Sequence, residues 1–301
     1  MTYGDRTVVA IGNFDGVHRG HAEVLARAQA EAPGLPLVAV TFWPHPVQVL
    51  RPDRAPELLC DLPERIELLK EAGAHEVRVV EFTSRVAQWS PADFVERVVA
   101  PLNPEVVVVG ENFTFGHRAL GTVETLRDLG EGRFRVVGLP LVCDADALSS
   151  SRVRTALASG DVAAAASILG RPFRYAGIVV MGDQRGRTLG FPTANLTVPP
   201  GHACPSDGVY AGWVTRTDVA GAERWAAAIS VGTNPTFDGA ERRVESYVLD
   251  RTDLELYGVP IAVDFVARLR GQVRFDSLDA LVGQMAADVN ATRKALGLPQ
   301  P

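Results

Sequence analysis

The chain has 301 residues, enough for two domains, and its 47% hydrophobic and 22% charged residues are typical of a globular protein. A net charge of -6 argues against a general nucleic-acid binder but leaves small nucleotide substrates open. The three cysteines are far apart and form no CxxC pair, so they indicate neither a disulfide framework nor a zinc site. The sequence has no signal-peptide pattern and no apolar run of membrane-spanning length, and we expect a cytoplasmic protein with no membrane partner.

The first half of the chain alternates short apolar runs with amphipathic stretches. The runs predict strands at 8–11, 37–42, 77–82, 106–109 and 134–142. The stretches between them predict helices around 22–30, 63–72, 91–99 and 123–129. Unalternating Val-rich strands separated by helices predict a doubly wound α/β domain, whose ligands bind at the carboxyl ends of the strands.

The second half has a different pattern of apolar and turn residues. An Ala-rich helical stretch at 153–169 is followed by apolar runs at 175–180, 209–215, 225–231, 244–249 and 261–269, separated by turn residues. This pattern predicts an antiparallel barrel or sandwich. The chain ends in a predicted helix whose one apolar face should pack on the barrel, formed by Leu278, Leu281, Val282, Met285, Ala286 and Val289. We place the boundary near Gly170, which gives domains 1–170, including a helical linker, and 171–301.

The strongest motif is GNFDGVHRGH at 12–21, directly after the first strand and at the start of the first helix. His18 and His21 are three residues apart and therefore share one helix face, and Gly20 lets a phosphate approach the backbone. A helix N-terminus also attracts anions. This arrangement predicts a triphosphate site in which two imidazoles stabilise departing pyrophosphate. The alternative is an exposed helix start with two polar residues. The lack of GxGxxG and Walker loops disfavours a dehydrogenase and a P-loop kinase.

A second motif, GRTLGFPTAN, occupies 186–195. Thr193 and Asn195 are two apart, so in an extended segment their side chains point the same way. Hydroxyl and amide oxygens suit Mg²⁺, although turn chemistry is an alternative role for both residues. Downstream, Glu245 lies in RVESYVLD at 243–250; alternation alone would make it a solvent-facing residue paired with Arg242 or Arg243.

These motifs, in this order, resemble the prokaryotic bifunctional riboflavin kinase/FMN adenylyltransferase family, also called FAD synthetase. Three further segments resemble the family's first domain: TFWPHP at 41–46, VGENFTFG at 109–116 and SSSRVR at 149–154. The resemblance spans nearly the whole chain. It implies an α/β doubly wound HxGH nucleotidyltransferase domain followed by an antiparallel Greek-key β-barrel riboflavin kinase domain with a C-terminal helix. Trp43 departs from the acidic residue that the family often has, and Ser151 from its threonine.

The resemblance implies two ATP-dependent reactions: phosphorylation of riboflavin to FMN, and adenylylation of FMN to FAD with release of pyrophosphate. Its ligands are riboflavin, FMN, FAD, ATP, ADP, pyrophosphate and Mg²⁺, with no nucleic acid; the oligomeric state stays open. The implied roles are catalysis by His18, His21 and Glu245; nucleotide binding by Gly12, Phe14, Gly20, His45, Ser150, Ser151, Arg154, Gly186 and Thr188; flavin binding by Asn112 and Arg268; and metal binding by Thr193 and Asn195.

Two other functions remain to be weighed. The first is a nucleotidyltransferase that acts on a different phosphorylated acceptor, which the kinase motif in the same chain disfavours. The second is a flavin-binding sensor or storage module without catalysis, which should have lost at least one of the candidate catalytic or metal-binding residues.

Overall fold

The computed structural model describes residues 5–140, 143–144, 146–182, 190–236, 239–251 and 253–300. The chain forms two units, Met1–Ser150 and Ser151–Pro301. Among the described residues, no helix is both long enough and apolar enough to cross a lipid bilayer.

The first unit is built on a five-stranded sheet. Its strands are β1 (Thr7–Ile11), β2 (Leu37–Trp43), β3 (Glu76–Glu81), β4 (Pro104–Gly110) and β5 (Arg135–Leu139). They lie in the order β3-β2-β1-β4-β5, and every neighbouring pair is parallel. The chain order therefore reverses at β1, and ligands of such sheets bind beyond the carboxyl ends of the strands at this point.

The helices of the first unit are α1 (Arg19–Glu31), α2 (Pro46–Leu50), α3 (Leu62–Glu71), α4 (Pro91–Phe94) and α5 (Val123–Gly130). The helix predicted at 91–99 is α4 followed by a π-helical turn, Val95–Val99, and a 3₁₀ turn, Ala100–Leu102. Three more 3₁₀ turns, Pro52–Arg54, Val86–Gln88 and His117–Ala119, and a short hairpin of β6 (Cys143–Asp144) and β7 (Asp146–Ala147) complete the unit.

Two cores cover the two faces of this sheet. Val9 and Ile11 of β1 belong to a core shared with Phe94 of α4. Val8 of β1 faces the other side, where it packs in a core with Leu25 of α1. A strand that is buried on both faces has no reason to alternate apolar with polar residues. The predicted doubly wound α/β domain is confirmed.

The helical stretch predicted at 153–169 is two helices, α6 (Ser150–Ser159) and α7 (Val162–Leu169). Gly160 breaks it with a φ of +77°, in the left-handed region that a glycine adopts without strain. The Asp161 side chain then accepts a 2.9 Å hydrogen bond from Ala164 N and caps α7. Gly170, also left-handed, ends α7 where we placed the boundary.

The second unit contains a six-stranded antiparallel sheet. Its strands are β8 (Phe173–Ile178), β9 (Thr193–Thr197), β10 (Gly208–Arg216), β11 (Arg224–Thr236), β12 (Gly239–Val248) and β13 (Pro260–Arg270). Their order is β8-β13-β10-β11-β12-β9, and β13-β10-β11-β12 is a Greek key, with the fourth strand beside the first. Val180 N donates to Asn195 O at 2.9 Å, so the sheet curls until its two edges meet. The predicted Greek-key barrel is confirmed.

The C-terminal helix, α8 (Leu278–Ala295), lies against β10, β11 and β13. Its buried residues are Asp288 and Thr292, whereas Leu278, the first residue of the predicted apolar face, is 66% exposed. Four residues of the predicted face are nevertheless partly buried, namely Leu281, Val282, Met285 and Val289, and the buried Thr292 lies on the same helix face, seven residues after Met285. At the edge of this face, Arg270 of β13 donates to both carboxylate oxygens of Asp288, at 2.8 and 2.6 Å, an ion pair that the sequence did not reveal.

Two candidate active sites

The loop at 12–18 leaves the carboxyl end of β1 in an uncommon backbone conformation. Phe14 and Val17 have φ angles of +50° and +37°, in a region that β-branched and bulky residues rarely adopt. A Cβ on Gly12 would lie 3.0 Å from the Phe14 ring, so this glycine leaves room for the buried ring. Strained backbone of this kind is concentrated at functional sites and persists where the surrounding contacts determine it.

A buried ion pair beneath the loop supplies such contacts. Asp15 Oδ1 lies 3.0 Å from Nη2 of Arg65, an α3 residue whose side chain is 0% exposed. Leu59 N donates to both carboxylate oxygens of Asp15 at 3.2 Å. Sequence reasoning missed Arg65, although it precedes the buried Leu69 by four residues and therefore shares the inward face of the helix.

Cys60 completes the buried layer. Its Sγ accepts a hydrogen bond from Gly16 N at 3.2 Å and lies 3.8 Å from the Asp15 carboxylate. Burial, and then the charge of Asp15, raise the pKa of this thiol to about 12. Cys60 is therefore a neutral packing residue and not a nucleophile.

His18 and His21 stand together at the start of α1, as predicted. Their rings are stacked, with centroids 3.6 Å apart and planes at 20°, and the Phe14 ring meets His21 edge-on at 5.3 Å. Burial, then the neighbouring charges of His18 and Arg65, lower the pKa of His21 well below 6.5. His21 is thus neutral at pH 7, and its Nδ1 is buried with no hydrogen-bond partner among the described residues.

Gly20 has a packing role that the sequence did not indicate. A Cβ at this position would lie 3.1 Å from the His18 ring and 3.5 Å from Leu148 Cβ. The glycine therefore lets His18 fold against the first turn of the helix. The close approach of a phosphate to Gly20 stays a prediction.

His45 is buried and caps α2. Its Nδ1 accepts a hydrogen bond from Val47 N at 3.2 Å, and its own N–H donates to Gln48 Oε1. Because Nδ1 is the acceptor, a neutral His45 carries its proton on Nε2, which can donate to a ligand. The capping role is observed, and the nucleotide-binding role stays a prediction. Beside it, the Trp43 ring lies 5.3 Å from the Arg65 guanidinium, a cation–π contact.

The remaining candidates for the first reaction lie in two further segments. The Ser150 hydroxyl donates to Asp15 O at 2.9 Å and so ties the SSSRVR segment to the motif loop. Ser151 and Arg154 follow on the first turn of α6 and, three residues apart, share a helix face. Asn112 is exposed just beyond the carboxyl end of β4, the neighbour of β1 in the sheet.

In the second unit, Thr193 and Asn195 lie on one face of β9, as predicted. Asn195 Nδ2 donates to both the hydroxyl and the carbonyl oxygen of Thr193 at 3.2 Å. A Cβ on Gly182 would lie only 2.7 Å from the Asn195 amide group, so Gly182 makes room for that side chain. Gly186 and Thr188 lie outside the described residues.

Thr193 and Asn195 line a pocket of about 240 Å³, together with Ser246, Arg251, Glu255 and Tyr257 among others. Sequence reasoning missed Ser246, whose buried hydroxyl has no hydrogen-bond partner within the described parts of the chain. The hydroxyl and amide oxygens of Thr193 and Asn195 are hard donors that fit a divalent cation. Among the described residues, no cluster of three or more His, Cys, Asp or Glu side chains could hold a metal.

Glu245 of β12 lies directly opposite Asn195 of β9 on one side and Ser230 of β11 on the other. Residues opposite each other in an antiparallel sheet present their side chains on the same face. Glu245 therefore stands beside the metal-ligand candidates. Of the two arginines that were alternative partners, Arg243 forms an ion pair with Glu241 and Arg242 forms one with Asp207.

Arg268 of β13, the second flavin candidate, has an exposed side chain. Its Nη1 and Nη2 donate to the carbonyl oxygens of Ser159 and Asp207, both at 3.2 Å. These bonds tie the end of α6 to the barrel. Contact with flavin stays a prediction.

Comparison with known proteins assigns the chain to a family. A family model described as FAD synthetase matches residues 2–153, and one described as riboflavin kinase matches residues 169–296. The chain belongs to the bifunctional riboflavin kinase/FMN adenylyltransferase family. The member from Bacillus subtilis (strain 168) is 36% identical, over 94% of this chain and 90% of the relative. The member from Escherichia coli (strain K12) is 37% identical, over 98% and 94%.

The structure also resembles a crystal structure titled as a macrolide-efflux protein from Streptococcus pneumoniae. The TM-score is 0.85 at 35% identity, over 97% of this chain and 95% of the other. That protein shares the fold along nearly its whole length. The two domain matches of the family models leave α6 and α7 mostly between them, and our inclusion of these helices in the first domain stays a prediction.

Proposed function

We propose that this chain phosphorylates riboflavin to FMN in the barrel and adenylylates FMN to FAD in the α/β unit, using ATP and Mg²⁺ for both reactions. One observation carries the proposal. The candidate catalytic residues of the two reactions fall in different compact units, with His18 stacked on His21 in the first and Asn195 opposite Glu245 in the second.

In the kinase reaction, the ribityl 5′-hydroxyl of riboflavin attacks the γ-phosphorus of ATP and ADP leaves. Glu245 accepts the proton of that hydroxyl as the new O–P bond forms. The Thr193 hydroxyl and the Asn195 amide oxygen would hold Mg²⁺, whose charge neutralises the phosphate oxygens.

In the adenylyl reaction, a phosphate oxygen of FMN attacks the α-phosphorus of a second ATP and pyrophosphate leaves. A neutral His21 donates a hydrogen bond to the phosphates as negative charge grows on the leaving group, and His18 stands next to it. The N-terminal amides of α1 add a favourable dipole for the same charge. His45, Ser150, Ser151 and Arg154 are proposed phosphate ligands on the basis of the family resemblance.

The other assignments rest on resemblance alone. Gly12 and Phe14 shape the motif loop and are proposed to border the nucleotide in the first unit, while Gly186 and Thr188 are proposed nucleotide contacts in the second. Asn112 and Arg268 are proposed flavin contacts, and both side chains are exposed to solvent. The cytoplasmic location stays a prediction.

A time course tests the proposal. The purified protein is incubated with riboflavin, excess ATP and Mg²⁺, and the flavins are separated by chromatography. FMN should rise first and then give way to FAD. If neither riboflavin nor added FMN is converted, the enzyme proposal fails, and a flavin-binding module without catalysis is the remaining hypothesis. Conversion of riboflavin to FMN alone would confine the failure to the α/β unit.

A further inference from the structure

One buried side chain contacts both segments that carry the candidate adenylyl site. Arg65 Nη1 donates to the carbonyl oxygens of Asn13, at 3.1 Å, and Phe42, at 3.3 Å. Its Nη2 pairs with Asp15 at 3.0 Å, and its guanidinium lies over the Trp43 ring. Two of these four residues precede His18 in the motif loop, and the other two end β2 just before His45.

Stability alone gives little reason for a charge at this place. The side chains of Arg65 and Asp15 are 0% and 3% exposed, and a buried ion pair is on balance no more stabilising than well-packed apolar residues. Arg65 Nε is also buried without a hydrogen-bond partner among the described residues, which costs further stability. An arginine can fix the positions of several acceptors at once, because its planar guanidinium, a rigid fork, directs several N–H donors at fixed angles.

The loop that Arg65 holds in place also contacts the histidine pair. Asp15 lies between Phe14 and Val17, the two residues with strained positive φ angles, so its bond to Arg65 holds the loop where its backbone is least relaxed. The Phe14 ring in turn packs edge-on against His21. Release of Asp15 would let the loop relax and take the ring away from the histidine.

We propose that Arg65 is a positioning residue for adenylyl transfer, which locks the motif loop to the end of β2 and thereby sets the place of His18 and His21. This inference rests on the adenylyl reaction proposed above. Arg65 is fully buried and acts through Asp15 and the loop carbonyls, so it does not touch substrate. Its loss should therefore lower kcat for FAD formation more than it raises KM.

The test measures FAD formation from FMN and ATP by the full chain, with riboflavin phosphorylation by the same samples as internal control. Arg65→Lys keeps the charge and loses the fork, and kcat should fall about 10- to 100-fold while KM changes little. Arg65→Gln should have at least the same effect. It should also move the acid limb of the pH profile to higher pH, because the guanidinium is one of the groups, after burial and His18, that lower the pKa of His21.

A double variant separates positioning from folding. Asp15→Leu with Arg65→Met replaces the pair by apolar side chains, which is compatible with a stable fold. Because Leu59 N and the carbonyl oxygens of Asn13 and Phe42 also lose their partners, its melting temperature should fall somewhat, so circular dichroism and its riboflavin kinase activity verify that it is folded. The folded double variant should still show the loss of kcat. Parent-like kcat in this variant, or in Arg65→Lys, would overturn the inference. A parent protein that forms no FAD would instead refute the adenylyl reaction itself, so the two failures are distinguishable.

Discussion

Glu245 and Asn195 lie directly opposite each other on the adjacent antiparallel strands β12 and β9. The strand register therefore places a carboxylate beside an amide that is itself bonded to the Thr193 hydroxyl. The proposed base for the riboflavin hydroxyl and the two proposed oxygen donors for a cation thus share one face of the barrel. This arrangement is part of the sheet, so it exists before any substrate binds.

Replacement of Glu245 by Gln should abolish its capacity to accept a proton and keep its shape. We expect kcat for FMN formation to fall about 10²- to 10⁴-fold, with FAD formation from added FMN unchanged. Glu241→Gln is the matched control, because Glu241 lies four residues away on the same strand and pairs with Arg243. Equal losses in both variants, measured by flavin chromatography, would mean that Glu245 has no special role.

Gly182 should control the position of the Asn195 amide. In Gly182→Ala the new Cβ would lie 2.7 Å from that amide group and force it to shift. The Mg²⁺ concentration for half-maximal kinase activity should rise about 10- to 100-fold, while FAD formation from FMN is unaffected.

Gly177→Ala is the control for that experiment, because its Cβ would meet its nearest neighbour, a Leu196 methyl group, at an ordinary 3.5 Å. An unchanged Mg²⁺ requirement in Gly182→Ala would remove Asn195 from the proposed metal site.

The pKa of His21 predicts a pH effect that NMR can measure. Burial is the main reason that this pKa lies well below 6.5, so the ring of His21 should still give the signal of a neutral imidazole at pH 6.5. His21→Asn, which removes one signal, assigns the resonance. A ring that is half protonated at pH 6.5 would show that the histidine pair is more open to water than its packing indicates.

The lowered pKa of His21 also makes the stability of the folded protein depend on pH. Below pH 6.5 the unfolded chain binds a proton at this position that the folded chain excludes until its lowered pKa is reached. The free energy of unfolding therefore falls as the pH falls below 6.5, at up to about 1.4 kcal/mol per pH unit. Urea unfolding at several pH values should show a steeper loss of stability with falling pH in the parent than in His21→Asn, because carboxyl groups with lowered pKa values contribute equally to both proteins.

Gly160 should be essential for the turn between α6 and α7. In Gly160→Ala the Cβ would lie 2.6 Å from Ser206 Oγ and 2.9 Å from the Tyr210 hydroxyl, at a φ of +77°. We expect a loss of about 2–4 kcal/mol in the free energy of unfolding, from backbone strain and overpacking together. Gly221→Ala, with a similar φ and an open surrounding, should cost about 1 kcal/mol. Equal decreases in the melting temperature of the two variants would show that the close contacts of Gly160 with Ser206 and Tyr210 are not important.

Much of the fold was predictable because its signals are local. Unalternating strands indicated the parallel sheet, and the spacing of three residues indicated that His18 and His21 share a face, which their stacked rings confirm. Thr193 and Asn195 were likewise placed on one face by a spacing of two. In each case the relevant residues are close in the sequence, although His18 is the N-cap residue of α1 and Gly20 makes room for its ring.

What the sequence did not reveal depends on contacts between distant segments. The Asp15–Arg65 pair joins residues 50 apart, and an arginine in an amphipathic helix is ordinarily a surface residue. Similarly, Asp288 of α8 is buried beside Arg270, which lies on β13 and donates to its carboxylate. Periodicity showed where the apolar residues lie on that helix, but it could not show which distant side chain would pair with a buried carboxylate.

The central claim is that one chain carries two separable activities, and two variants test it most directly. His21→Asn and Asn195→Ala are each incubated, alone and mixed, with riboflavin, ATP and Mg²⁺, and the flavins are separated over time. We expect that His21→Asn accumulates FMN, that Asn195→Ala leaves riboflavin unchanged but converts added FMN to FAD, and that the mixture forms FAD from riboflavin. Loss of both activities in either variant, or a mixture that forms no FAD, would contradict it.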